Sequence, residues 1–208
     1  MHNNDILQDI HTYGATLSCR DIFLHNFFSG TEEDNPGVDY RMANIFLKNL
    51  KMLENKSSDP ITIHMNSIGG SWSDGMVIYD AILMSKCYIS VIAYGQAESM
   101  SSIILQAADQ RLITPNTYLM LHYGSTSASG DYLSTQNWIQ YEKYLCDTML
   151  DIYSECCLKG KFFKEKYIKP DLKKIKNFLS KKLQDGDWYM TSEEAVYYGF
   201  ADKVIKKS

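Results

Sequence analysis

The chain has no apolar run near the eighteen or so residues that a membrane-spanning helix needs, so a helical membrane protein is not expected. Its start, Met1-His2-Asn3-Asn4-Asp5, has no basic segment leading into an apolar one, the pattern of a secretory signal. Cysteine is scarce: Cys19, Cys87, Cys146, Cys156 and Cys157 are odd in number and lack metal-ligand spacing. The adjacent pair Cys156-Cys157 makes no ordinary bridge, so reduced thiols in a cytoplasmic protein are expected. Neither Gly-x-Gly-x-x-Gly nor Gly-Lys-Ser/Thr occurs, which counts against nucleotide binding. A basic excess is missing too, with 21 Lys and Arg against 25 Asp and Glu and a net charge of -4. That balance excludes a nucleic-acid-binding polyelectrolyte. No Pro/Gly/Ser linker or low-complexity tract divides the chain. The 208 residues, 45% hydrophobic and 22% charged, suit one globular domain over 1–208.

Charge is unevenly spread. Residues 159–182 hold ten lysines against Glu165 and Asp171, so the remainder of the chain is strongly acidic. The ordinary reading is a pair of solvated helical turns separated by Pro170, with Phe162, Phe163, Tyr167, Ile175, Phe178 and Leu179 inward. A basic patch docking an acidic partner is the sharper alternative. A second biased stretch, residues 29–37, is acidic and rich in turn formers, and reads as an exposed loop.

The middle of the chain repeats a theme. Residues 61–65 read as a buried strand, Asn66-Ser67-Ile68-Gly69-Gly70-Ser71 as a tight loop, and the following stretch as a helix with Met76, Val77, Tyr79, Ala81, Ile82 and Leu83 giving it an apolar face. The β-branched run 88–93 then precedes a turn at Tyr94-Gly95-Gln96-Ala97-Glu98 and an apolar helix over 100–108. A third strand, 118–121, ends at His122 and runs into Gly124-Ser125-Thr126-Ser127. Such units imply an α/β fold with a parallel sheet whose strand ends and helix starts share one edge. A short strand at 21–24 and an amphipathic helix over 40–53 come before them. A long helix spans 132–158, and Thr191 or Ser192 caps a last helix ending at Gly199.

Ser99 falls where a strand-following turn becomes a helix, a place that exposes a nucleophile and favours developing negative charge. The Met100 amide there can face an oxyanion. Serine is also a good N-cap, and the local pattern alone favours capping. The motif is not the hydrolase elbow Gly-x-Ser-x-Gly, since Ala97 and Ser101 stand at the glycine positions. Gly69-Gly70 brings backbone amides close to a ligand, or is simply a tight turn. Of five histidines, His2 and His11 lie near the terminus, His25 follows an early strand and His64 lies within one. Only His122 combines a strand end, a Ser/Gly-rich continuation and the expected edge. The acid that would orient it is sought among Asp185, Asp187 and Asp202. Asp187 precedes an apolar run, whereas the other two look like turn or capping residues.

These residues, in the order Ser99, His122, Asp187, lie in stretches that resemble the Clp protease proteolytic subunit (ClpP) family of serine peptidases. The matching segments are Asn66-Ser67-Ile68-Gly69-Gly70-Ser71 with Gly75-Met76 behind it, Gly95-Gln96-Ala97-Glu98-Ser99-Met100, Pro115-Asn116 through His122, and Asp187 through Gly199. The resemblance implies a ClpP/crotonase-like spiral of repeated β-β-α units with a protruding handle helix at 132–158. It implies a nucleophile at Ser99, a general base at His122, an orienting acid at Asp187 and an oxyanion hole from the Gly70 and Met100 amides. Substrate would lie extended beside Gly69 and Gly70. Stacked homo-oligomeric rings, an AAA+ unfoldase partner and a polypeptide substrate are further implications, with no metal, organic cofactor, nucleic acid or membrane.

Departures from the family pattern are Ile68, Glu98, the segment 123–130 after His122, the short N-terminal arm (1–19) and the Lys-rich insertion (159–182). They resemble phage-type members that process capsid precursors. A catalytically silent scaffold and a crotonase-like acyl-thioester enzyme are the other readings.

Overall fold

The computed structural model describes residues 10, 12, 14–25 and 37–206. His2, His11, most of the expected N-terminal arm, the side chain of His25 and all of the expected acidic loop except Gly37 lie outside them.

Strands β1 (Ala15–Thr16), β2 (Asp21–His25), β3 (Ile61–Ser67), β4 (Ile89–Glu98), β5 (Gln110–Ile113) and β8 (Lys203–Val204) lie side by side in that order. All are parallel except β1, which runs antiparallel along β2. Strand β6 (Tyr118–Leu121) pairs parallel with β4, and β7 (Trp188–Thr191) pairs antiparallel with β6. The first three parallel strands follow the period-2 rule: Ile61, Ile63 and Met65 are buried while Thr62 and His64 turn to the other face.

The helices are α1 (Tyr40–Lys56), α2 (Trp72–Leu83), α3 (Met100–Gln106), α4 (Tyr132–Cys157), α5 (Lys161–Lys166), α6 (Leu172–Gln184) and α7 (Ser192–Tyr198). Helix α1 buries Met42, Ala43, Phe46, Leu50 and Leu53, an apolar stripe at helical spacing. Asp39 caps it, accepting from the Arg41 and Met42 amides. At the far end of the chain Thr191 and Glu194 form a reciprocal capping box on α7, and Gly199 closes it at φ 96°. Packing passes from α1 to α2, α2 to α3, α3 to α4 and α4 to α6.

Two sequence expectations need correction. The stretch 94–98 is not a turn: β4 continues through it to Glu98, with Gly95 at φ 65° between its two halves. The first half pairs with β5 and the second with β6, so one strand changes neighbours midway. Strands β5 and β8 carry too little alternation to be read from sequence, yet they extend the sheet. Ser99 does occupy the N-cap position of α3, but its side chain makes no capping hydrogen bond.

The Lys-rich segment matches its ordinary reading. Phe163, Ile175 and Leu179 are buried, while Phe162, Tyr167 and Phe178 pack against the core. Two cations also sit over ring faces, Lys166 over Phe162 and Phe178 and Lys182 over Trp188.

Candidate active site

Strand register brings the three candidate side chains together. Glu98 of β4 is paired with Met120 of β6, so Ser99 and His122 follow from adjacent strand ends. The Ser99 amide donates to the Met120 carbonyl at 2.8 Å and fixes that turn. Leu121 is paired with Trp188 of antiparallel β7, which sets the next residues outward, His122 and Asp187, opposite one another.

Side-chain distances follow. His122 Nε2 lies 2.8 Å from Ser99 Oγ, a hydrogen bond of ordinary length. His122 Nδ1 lies 3.4 Å from Asp187 Oδ1, with half of the Asp187 side chain exposed. That contact is looser than a charge-assisted hydrogen bond. Ser99 has φ 50° and ψ -124°. A residue with a side chain reaches this region only at a cost of about 1–3 kcal/mol, and such strain clusters at functional sites.

Two residues whose backbone amides bear on this site, Gly70 and Met100, border the same cavity. Val38 forms a parallel bridge with Gly70, using the Gly69 carbonyl and the Ser71 amide. A bridge of that pattern turns the N–H and C=O of Gly70 itself to the opposite side. Met100 is the first residue of α3, so its N–H has no partner within the helix. Gly69 presses directly on the Ser99 turn: a Cβ there would stand 2.6 Å from Ser99 Cβ and 2.8 Å from the Met100 nitrogen. With φ at 88° as well, the position demands glycine.

A cavity of about 490 Å³ opens beside this arrangement, lined by Gly70, Ser99, Met100 and His122. Its far wall is apolar, from Trp72, Ile103 and the α4 residues Trp138, Leu145, Cys146 and Met149. The segment 123–131 crosses it without regular structure. Trp138 Nε1 donates to Thr126 Oγ1 at 2.9 Å, and Thr126 in turn donates to Glu142 at 3.1 Å. These ties hold the altered segment against α4. No sequence pattern singled out Trp138, Thr126 or Glu142, because the contacts join residues a dozen or more apart across a loop.

The other candidates fall elsewhere. His64 stacks on Phe23 and lies 3.1 Å from the Tyr94 hydroxyl and 3.6 Å from Asp21, on the opposite sheet face. It is half-buried within its strand, packed and hydrogen-bonded. Asp202 pairs with Arg111, joining β5 to the chain before β8. Burial raises its carboxyl, but the Arg111 hydrogen bonds outweigh that and hold it below the usual carboxylate range. Asp185 is the C-cap of α6. Glu98 is half-buried beside Tyr118, whose phenol it pushes up. All five cysteines are free thiols. No helix among the described residues is long and apolar enough to cross a membrane.

The fold agrees with what the chain is similar to. The sequence model described as Clp protease matches residues 33–208. The ATP-dependent Clp protease proteolytic subunit of Deinococcus radiodurans is 30% identical over 174 residues, covering 82% of this chain and 78% of that protein. The protein of the same name from Carsonella ruddii is 27% identical over 179 residues, covering 83% and 82%. The chain belongs to the Clp protease family, and is a peptidase of the ClpP kind.

Proposed function

We propose that the chain is a serine endopeptidase that cuts extended polypeptides through an acyl-enzyme. The observation that carries this reading is the 2.8 Å contact between His122 Nε2 and the Oγ of a serine held at positive φ. His122 takes the Ser99 proton as Oγ attacks the peptide carbonyl carbon. The carbonyl oxygen becomes an oxyanion and accepts from the Gly70 and Met100 amides. His122 then returns the proton to the leaving amine, and water repeats the sequence to release the acid. Asp187 holds Nδ1–H and steadies the imidazolium. No step calls for a metal or organic cofactor. A thioester enzyme of the crotonase kind would use the paired amides and has no need of the Ser99–His122 contact.

Substrate lies as a strand against Gly70, whose outward N–H and C=O offer main-chain pairing, with a side chain in the apolar cavity. The chain acts as one domain in stacked homo-oligomeric rings in the cytoplasm, where an ATP-driven unfoldase supplies extended polypeptide. The names of the two relatives support the ATP dependence. The test is hydrolysis of a fluorogenic peptide by wild type and Ser99→Ala, each with its native mass measured. Wild type should turn over and Ser99→Ala should assemble equally but stay silent. Turnover by an equally pure Ser99→Ala would refute the mechanism.

A further inference from the structure

Behind the Ser99 turn lie buried hydroxyls that the hydrolytic steps do not use. Helix α3 is apolar apart from Ser101, Ser102 and Gln106, and both serines are fully buried. Each has a partner, as buried polar groups require. Ser102 Oγ donates to the Ser99 carbonyl at 2.6 Å, and the Ser102 amide donates to the same oxygen at 3.0 Å. The Tyr153 hydroxyl, on α4, lies 2.7 Å from Ser102 Oγ. A hydroxyl has one proton. That of Ser102 goes to a carbonyl, which only accepts, so Tyr153 is the donor to Ser102. Burial pushes the Tyr153 phenol far up, so it keeps its proton and remains a donor. Ser101 Oγ donates to Ser67 Oγ at 2.8 Å, and Ser67 also accepts the Gly69 amide at 3.2 Å.

We infer that the hydroxyl chain from Tyr153 through Ser102 aims the Met100 amide of the oxyanion hole, an inference that rests on reading Ser99 as the nucleophile. The peptide joining Ser99 to Met100 is planar and trans, so its carbonyl and its N–H point in opposite directions. Clamping the carbonyl inward through Ser102 and Tyr153 therefore turns the Met100 N–H outward, into the cavity. The clamp also opposes relaxation of Ser99 from its strained φ of 50°. The second chain ties Gly69 to α3 through Ser67 and Ser101, while the peptide that carries the Gly70 N–H is held by the Val38 amide on the Gly69 carbonyl. Ser102 and Tyr153 are positioning residues, since neither touches the reacting atoms. Tyr153 stands one helical turn beyond Met149, which lines the cavity. One helix thus walls the substrate and holds the oxyanion peptide.

The experiment compares wild type with Tyr153→Phe, Ser102→Ala and Ser102→Thr. It records the second-order rate of fluorophosphonate labelling, and kcat, KM and the pH profile on a fluorogenic peptide. Tyr153→Phe keeps the ring and its edge contact with Phe200, 5.4 Å away, so the fold is retained. Oxyanion contacts exist in the transition state and not in the ground state. Tyr153→Phe and Ser102→Ala should therefore lower labelling and kcat by about tenfold or more, short of the roughly 10²–10³-fold cost of deleting a donor. KM and the acid limb of the pH profile should stay in place, and Ser102→Thr should restore the rate. Labelling at the wild-type rate by Tyr153→Phe would overturn the inference. So would a shifted acid limb, which would put the hydroxyls behind His122 instead of the oxyanion. A wild type that never labels would overturn the Ser99 reading itself, and this one with it.

Discussion

At the scale of single residues, the weakest contact in the proposed triad sets a graded expectation. Asp187 stands 3.4 Å from His122 with half its side chain in water, so solvent screens much of its field. Removing the charge from a tight, buried triad carboxylate costs about 10⁴-fold in kcat. Asp187→Asn should cost less here, about 10²–10³-fold, with KM little changed. Steady-state peptide hydrolysis checks this, and a loss as large as that of Ser99→Ala would mean that Asp187 is held more tightly in the working enzyme. Residue types alone did not disclose the triad. Ser99 in isolation reads as a cap, and it is its φ of 50° with its contact to His122 that favours the proposed nucleophile.

At the scale of elements, the sheet register does most of the assembly. The pairing of Leu121 with Trp188 puts His122 opposite Asp187, though 65 positions separate them in the chain. The units around β3, α2 and α3 were legible because their apolar periods are strong. The change of partners within β4 was not, because Gly95 reads locally as a turn. Strands β5 and β8 are hard to read for another reason: β5 opens on the polar pair Gln110-Arg111 and β8 has only two residues.

The Arg111–Asp202 pair ties these short strands, and its behaviour with pH can be stated. The carboxyl is held below the usual range in the folded chain, so its contribution is fully present above the ordinary carboxylate pKa of about 4 and is lost below it, as the pH falls through the lower folded value. Asp202→Asn should destabilise by about 1–2 kcal/mol at pH 7, allowing for screening of a side chain 38% exposed. Denaturant unfolding should show the gap closing toward pH 3. An equal gap at both pH values would contradict the assignment.

For the whole molecule, helix α4 is divided. Its buried residues, Met149, Leu150, Tyr153, Ser154 and Cys157, all fall in the last third. The rest stands off the core and exposes Tyr132, Leu133, Tyr141 and Tyr144. Large exposed apolar side chains gathered on one helix fit an interaction surface. The proposed stacking of rings accounts for it. Leu133→Asp combined with Tyr144→Asp should halve the native mass in sedimentation velocity, and an unchanged mass would remove α4 from the ring contact. The departures after His122 and at the Lys-rich segment belong to this scale too. Thr126 and Trp138 pin the first against α4, while aromatic packing absorbs the second into the core.

The central claim is an activated serine at position 99, and covalent stoichiometry tests it most directly. Intact-mass analysis after fluorophosphonate treatment should show one adduct per chain on wild type and none on Ser99→Ala. A well-assembled wild type that takes up no adduct, or a Ser99→Ala that does, would contradict the account.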